Sequence, residues 1–100
     1  MGLDLQWLAP DRSVFQELLD PDEVLARALT RGPRQAFPLL SAIDPYTNTD
    51  VSPSATLSAE IRRLRDAQTD PAASIHLGRM LAISEGAEQH CGSFLRFFGD

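Results

Sequence analysis

The chain has 100 residues, which is one domain's worth. Its apolar fraction of 43% drives collapse and excludes a disordered chain, and a formal charge of −5 with pI near 4.8 argues against nucleic-acid and anionic-membrane surfaces. A single cysteine, Cys91, rules out an internal disulfide, and no apolar run approaches the roughly 20 residues of a membrane span. Met1-Gly2-Leu3-Asp4 carries an acid where a secretory signal carries a base, so the expected location is cytoplasmic.

Leu3, Leu5 and Trp7 alternate with Asp4, Gln6 and Leu8, the period of a strand with one apolar face. Pro10 stops it, and Asp11-Arg12 suits a turn. Ser13 with Gln16 resembles a capping box, which predicts a short helix over Val14–Leu19; a second hairpin arm is the alternative. Asp20-Pro21-Asp22-Glu23 reads as a helix start, with Asp20 as cap and Pro21 in the first turn. Val24, Leu25, Ala28 and Leu29 supply that helix's stripe, and Gly32-Pro33 ends it. Phe37, Leu39, Leu40 and Ile43 follow as one short apolar helix or turn opened by Pro38.

Asp44 to Ser52 reads as a long surface loop, begun by Asp44-Pro45 and rich in side-chain oxygens. A cap-then-proline pair at Ser52-Pro53 predicts the next helix, with Leu57, Ile61 and Leu64 on one side and Glu60, Arg62, Arg63, Arg65 and Asp66 on the rest. Asp70-Pro71 opens the last helix, whose apolar sector holds Ile75, Met80, Ile83 and Ala87 and widens to Leu77 and Leu81. Gly86 or His90-Cys91-Gly92 ends it, and Ser93–Phe98 is a second strand closed by Gly99-Asp100. The expected fold class is α+β and mostly helical: three to four helices packed with a small sheet formed by the N- and C-terminal strands, since a lone ribbon needs a helical bed to persist.

Ile43-Asp44-Pro45-Tyr46, the stretch Phe94-Leu95-Arg96-Phe97-Phe98-Gly99-Asp100 and the opening Met1-Gly2-Leu3-Asp4 resemble a group of short, uncharacterised bacterial proteins. This chain departs from them at Thr47-Asn48, where they carry Gly-Asp. The resemblance implies no activity, only that Asp44, Tyr46 and the C-terminal strand share one structural feature.

No constellation of residues commits the chain to a chemistry. Asp44, Tyr46, Asn48, Asp50 and Ser52 alternate as calcium-loop ligands do, but Thr49 stands where the sharp turn needs Gly and Ala55 where a bidentate Glu closes the site. His90-Cys91 is adjacent in sequence, whereas nucleophile and base meet in space, so Cys91 reads as a small buried residue. His76 and His90 lack zinc spacing, and His76 falls inside the apolar sector as a hydrogen-bonded core histidine. No metal and no cofactor is expected, and no G-x-S-x-G elbow or phosphate loop is present. Arg62, Arg63 and Arg65 read as a solvated face balanced by Glu60 and Asp66.

Phe94, Arg96 and Phe98 point one way along the last strand and Leu95 and Phe97 the other; either one aromatic face is left for contact or helices cover both faces. The expected function is a small acidic protein-interaction domain, an inhibitor or immunity-type partner of another protein. Its expected binding residues are Asp44, Tyr46, Asp50, Phe94, Arg96 and Phe98. The alternatives are a small hydrolase or transferase using the 44–50 loop with His76 or His90, and a homodimer paired through Phe94–Phe98 or the Leu57–Leu64 helix.

Overall fold

A computed structural model describes residues 3–20, 23–31, 36–44 and 46–99. The expectations placed on Met1-Gly2, Pro21-Asp22, Gly32-Pro33, Pro45 and Asp100 lie outside these residues. The chain runs β1 (Asp4–Leu8), β2 (Val14–Leu18), α1 (Val24–Arg31), α2 (Pro38–Ser41), β3 (Asn48–Val51), α3 (Ala55–Asp66), α4 (Pro71–Glu88) and β4 (Phe94–Phe98). The strands form one antiparallel sheet in the order β2-β1-β4-β3. The first and last strands do pair, Leu5 opposite Phe97 and Leu8 opposite Phe94, and the architecture is the α+β arrangement expected.

Leu5, Leu95 and Phe97 project from one sheet face into a core with Leu25, Leu40, Leu57, Ile61, Leu64, Leu77 and Met80 from the four helices. Burying each such side chain contributes roughly 1.5–3 kcal/mol, enough in sum to hold a small two-layer domain. α3 and α4 form the helical bed, with their seam made by Leu57, Ile61 and Leu64. Gly86 lies inside α4 rather than at its end: a Cβ there would stand 3.3 Å from the Trp7 ring, so the glycine lets α4 approach β1 closely.

Several expectations are corrected. Val14–Leu18 is a strand, the second hairpin arm named as the alternative, and not a short helix. Arg12 adopts φ 72° and closes a tight hairpin, with Ala9 N donating to Ser13 O and Arg12 N to Ala9 O, both at 2.8 Å. A type I turn followed by a left-handed residue is a standard three-residue hairpin connection, and it lays the next segment back along β1. Ser13 caps no helix; its N–H and Oγ both donate to Asp11 Oδ1. The 44–52 loop contains β3, whose extended backbone comes from pairing with β4 rather than from an apolar alternation of its own.

The helix after Asp20 begins only at Val24, with Asp20 Oδ1 accepting from Val24 N at 2.8 Å. Ser54, not Ser52, caps α3 by accepting from Leu57 N, whereas Asp70 caps α4 as expected. Ile75 is exposed rather than in the core, and Cys91 is exposed in the turn before β4. Glu60 is buried instead of solvated, its carboxylate accepting from Leu39 N and Leu40 N at the start of α2. No described helix is long and apolar enough to cross a membrane.

Candidate partner-binding surface

The helices cover one face of the sheet, and the other carries the side chains that alternate with the core. One row of that outer face crosses all four strands in register: Glu17 opposite Gln6, Gln6 opposite Arg96, Arg96 opposite Asp50. Gln6 Nε2 donates to Glu17 Oε2 at 2.6 Å. Arg96 grips Asp50 with two bonds, Nε to Oδ1 at 2.7 Å and Nη2 to Oδ2 at 3.0 Å, while its guanidinium sits 5.5 Å from the Phe94 ring centroid. Such a forked pair fixes both side chains more firmly than a single contact does. Phe98 lies one row away, opposite Asp4 and Asn48.

The structure thus brings Asp50, Phe94, Arg96 and Phe98 onto one face. Asp44 and Tyr46 belong instead to the turn leading into β3. The Asp44 carboxylate accepts from Tyr46 N at 2.8 Å and Asp44 N donates to Thr49 Oγ1 at 3.1 Å, a self-bonded turn. The Tyr46 ring stands free, 78% exposed.

The hydrogen bond from Arg96 holds the Asp50 carboxyl below its ordinary value of 3.8. A lowered carboxyl stabilises the fold above its unfolded value, and that contribution fades as pH drops below about 4. Because the pair lies at the solvent-facing surface, screening keeps its contribution small. Asp50→Asn is expected to be slightly less stable than the parent at pH 7, with the gap narrowing as pH falls below about 4 in chemical denaturation. Parallel curves at the two pH values would remove this account of the pair.

The second surface was not anticipated. β2 is a sheet edge, and Val14 (52%), Phe15 (52%) and Leu19 (59%) are exposed along it, joined by Ile75 (58%) from α4. The register steps from Trp7 opposite Gln16 to Leu8 opposite Val14, which leaves Phe15 as the extra residue of a bulge. The bulge re-aims its ring. It packs 5.0 Å from Trp7 and 5.5 Å from His90, with His90 also 5.0 Å from Trp7. At the other end of β2, Leu18, Leu19, Asp20, Val24, Ile75, His76 and Arg79 line a shallow depression. The sequence signal was present in Val14-Phe15-Gln16-Glu17-Leu18-Leu19, where apolar residues occur without clean alternation, but a helical reading of that run hides the edge.

Both histidines therefore have other neighbours than the 44–50 loop. His90 Nδ1 lies 3.1 Å from Gly86 O within its aromatic cluster. His76 Nε2 is buried 3.8 Å from Asp20 Oδ1 and has no hydrogen-bond partner among the described residues, unlike the bonded core histidine expected. Among the described residues, no group of three or more His, Cys, Asp or Glu is placed to hold a metal ion. Arg62 and Arg65 pair with Glu85 and Asp66, and Arg63 lies over Phe37, 5.6 Å from its ring centroid. Strand β4 has β1 on one side and β3 on the other, leaving it no free edge for a twin, and the Leu57–Leu64 stripe is buried. Comparison with protein-family models, curated proteins and solved structures gives no match.

Proposed function

We propose that this chain is a protein-interaction domain, an inhibitor- or immunity-type partner that acts by covering a surface of another protein. The observation that carries this is the exposure of Val14, Phe15 and Leu19 along and just past an edge strand of the sheet, with Ile75 lining one depression with Leu19. Scattered single apolar residues need no explanation, whereas apolar residues along a strand's unpaired edge cost solubility unless something covers them. The aromatic-flanked Arg96–Asp50 fork on the outer face is a second, more polar contact area of the type enriched in interfaces.

A photoreactive residue placed at position 19, in cells that make the protein, tests this reading; a twin probe at position 48 on β3 serves as control. The expected result is an adduct of one defined mass from position 19 and none from position 48. No adduct from either, with the protein monomeric, overturns the proposal. An adduct at twice the chain's own mass overturns it in favour of a homodimer.

A further inference from the structure

The two edges of the sheet are built differently. β3 is four residues long and exposes Asn48 and Asp50, the kind of short polar edge that discourages further pairing. β2 has no Pro, Lys or Gly from Val14 to Leu19, and its only charge is Glu17. Its one blunting device is the bulge at Phe15, which leaves Gln16 to Leu18 in regular pairing with β1 and extended on the open side.

Charge singles out the same edge. Residues 1–23 hold six of the fourteen acids (Asp4, Asp11, Glu17, Asp20, Asp22, Glu23) and one of the nine arginines, Arg12. The remaining residues hold eight of each. The whole formal charge of −5 therefore belongs to the β1–β2 hairpin and its exit, and the rest of the chain is balanced. Asp11 sits at the hairpin turn with its carboxyl held below the usual range by the Ser13 hydroxyl and amide. On the helical side, Arg62 and Arg65 are matched by Glu85 and Asp66.

We infer that the partner presents a basic extended segment that adds to the open edge of β2 as a fifth strand. This rests on the partner-binding reading above and specifies its chemistry. Main-chain hydrogen bonds to the edge supply affinity, and alternate side chains supply selectivity. Arg or Lys residues of the segment would meet Glu17 and the field of the hairpin on one face, and the alternate apolar residues would lie on the other face beside Phe15. A second copy is the poorer occupant. It would bring one −5 hairpin against another, and a symmetric β2–β2 pair centred on Gln16 would set Glu17 near its twin.

The test uses the full chain, isotopically labelled, titrated with a synthetic peptide that alternates arginine with valine; a glutamate–valine peptide is the control. Expected are slowed amide exchange and shifted resonances confined to Val14–Leu19, with cross-strand contacts between peptide and β2 backbone. Glu17→Arg should weaken the arginine peptide by about fivefold or more, the scale of one reversed surface charge, and leave the fold's spectrum intact. Equal binding of the acidic peptide, perturbation centred on Asp50 and Arg96 instead, or no binding up to about 1 mM each overturns the inference. If position 19 crosslinks to a native partner while β2 amides gain no protection in that complex, the interaction reading stands and strand addition alone falls.

Discussion

Asp20→Ala is expected to lower the free energy of unfolding by about 3 kcal/mol, because it strips two buried backbone donors of their acceptor at once. Asp20 Oδ2 accepts from Leu3 N at 3.3 Å and Oδ1 from Val24 N at 2.8 Å, and the side chain is fully inaccessible. The residue's own N–H donates to Asp4 Oδ1 at 2.7 Å. One carboxylate thus ties the entry to β1, the exit from β2 and the first turn of α1. Asp20→Asn retains one acceptor oxygen and is expected to lose about half as much. Urea denaturation of both variants beside Asp66→Ala checks this. If Asp20→Ala falls within about 0.5 kcal/mol of that exposed control, the tie contributes nothing and the account is wrong.

Phe97→Ala is expected to be at least as damaging, at about 3–5 kcal/mol, since the ring is fully buried beneath the helices and its removal leaves a cavity at the centre of the core. Phe94→Ala, three residues earlier on the same strand, is expected to cost about 1 kcal/mol or less, mainly the ring's contact with the Arg96 guanidinium. The contrast separates the two faces of β4. Nearly equal losses would mean that the outer face is covered in solution, contrary to a two-layer fold with one open face.

The elements with a strong local signal were legible in the sequence. β1 and β4 showed alternation, Asp70-Pro71 marked the start of α4, and the Leu57, Ile61, Leu64 stripe fixed the buried side of α3. The elements that exist only through a neighbour were not. β2 lies on β1 because a left-handed Arg12 reverses the chain, and β3 is extended because β4 is beside it. Glu60 looked like a solvated residue, yet an unsatisfied helix start lies against it; a polar side chain goes inside when backbone donors wait there. Of the expected binding residues, Phe94, Arg96 and Phe98 share a face by strand parity, and Asp50 joins them because β3 pairs with β4 opposite Arg96. Asp44 and Tyr46 do not, since a turn's internal hydrogen bonds depend on tertiary placement. The broken alternation of Val14–Leu19 carries the apolar residues of the edge, but that this strand lies outermost depends on sheet order, which no local pattern encodes.

The position of β4 has one more consequence. In chain order it follows the other three strands, yet among the described residues it sits between β1 and β3 and is what joins them. Without β4 the β1–β2 hairpin has its inner edge open, and β3 lacks the neighbour that keeps it extended. Losing this keystone divides the sheet rather than trimming it, so damage near residues 94–98 propagates to both ends of the ladder, whereas damage to either outer strand stays local.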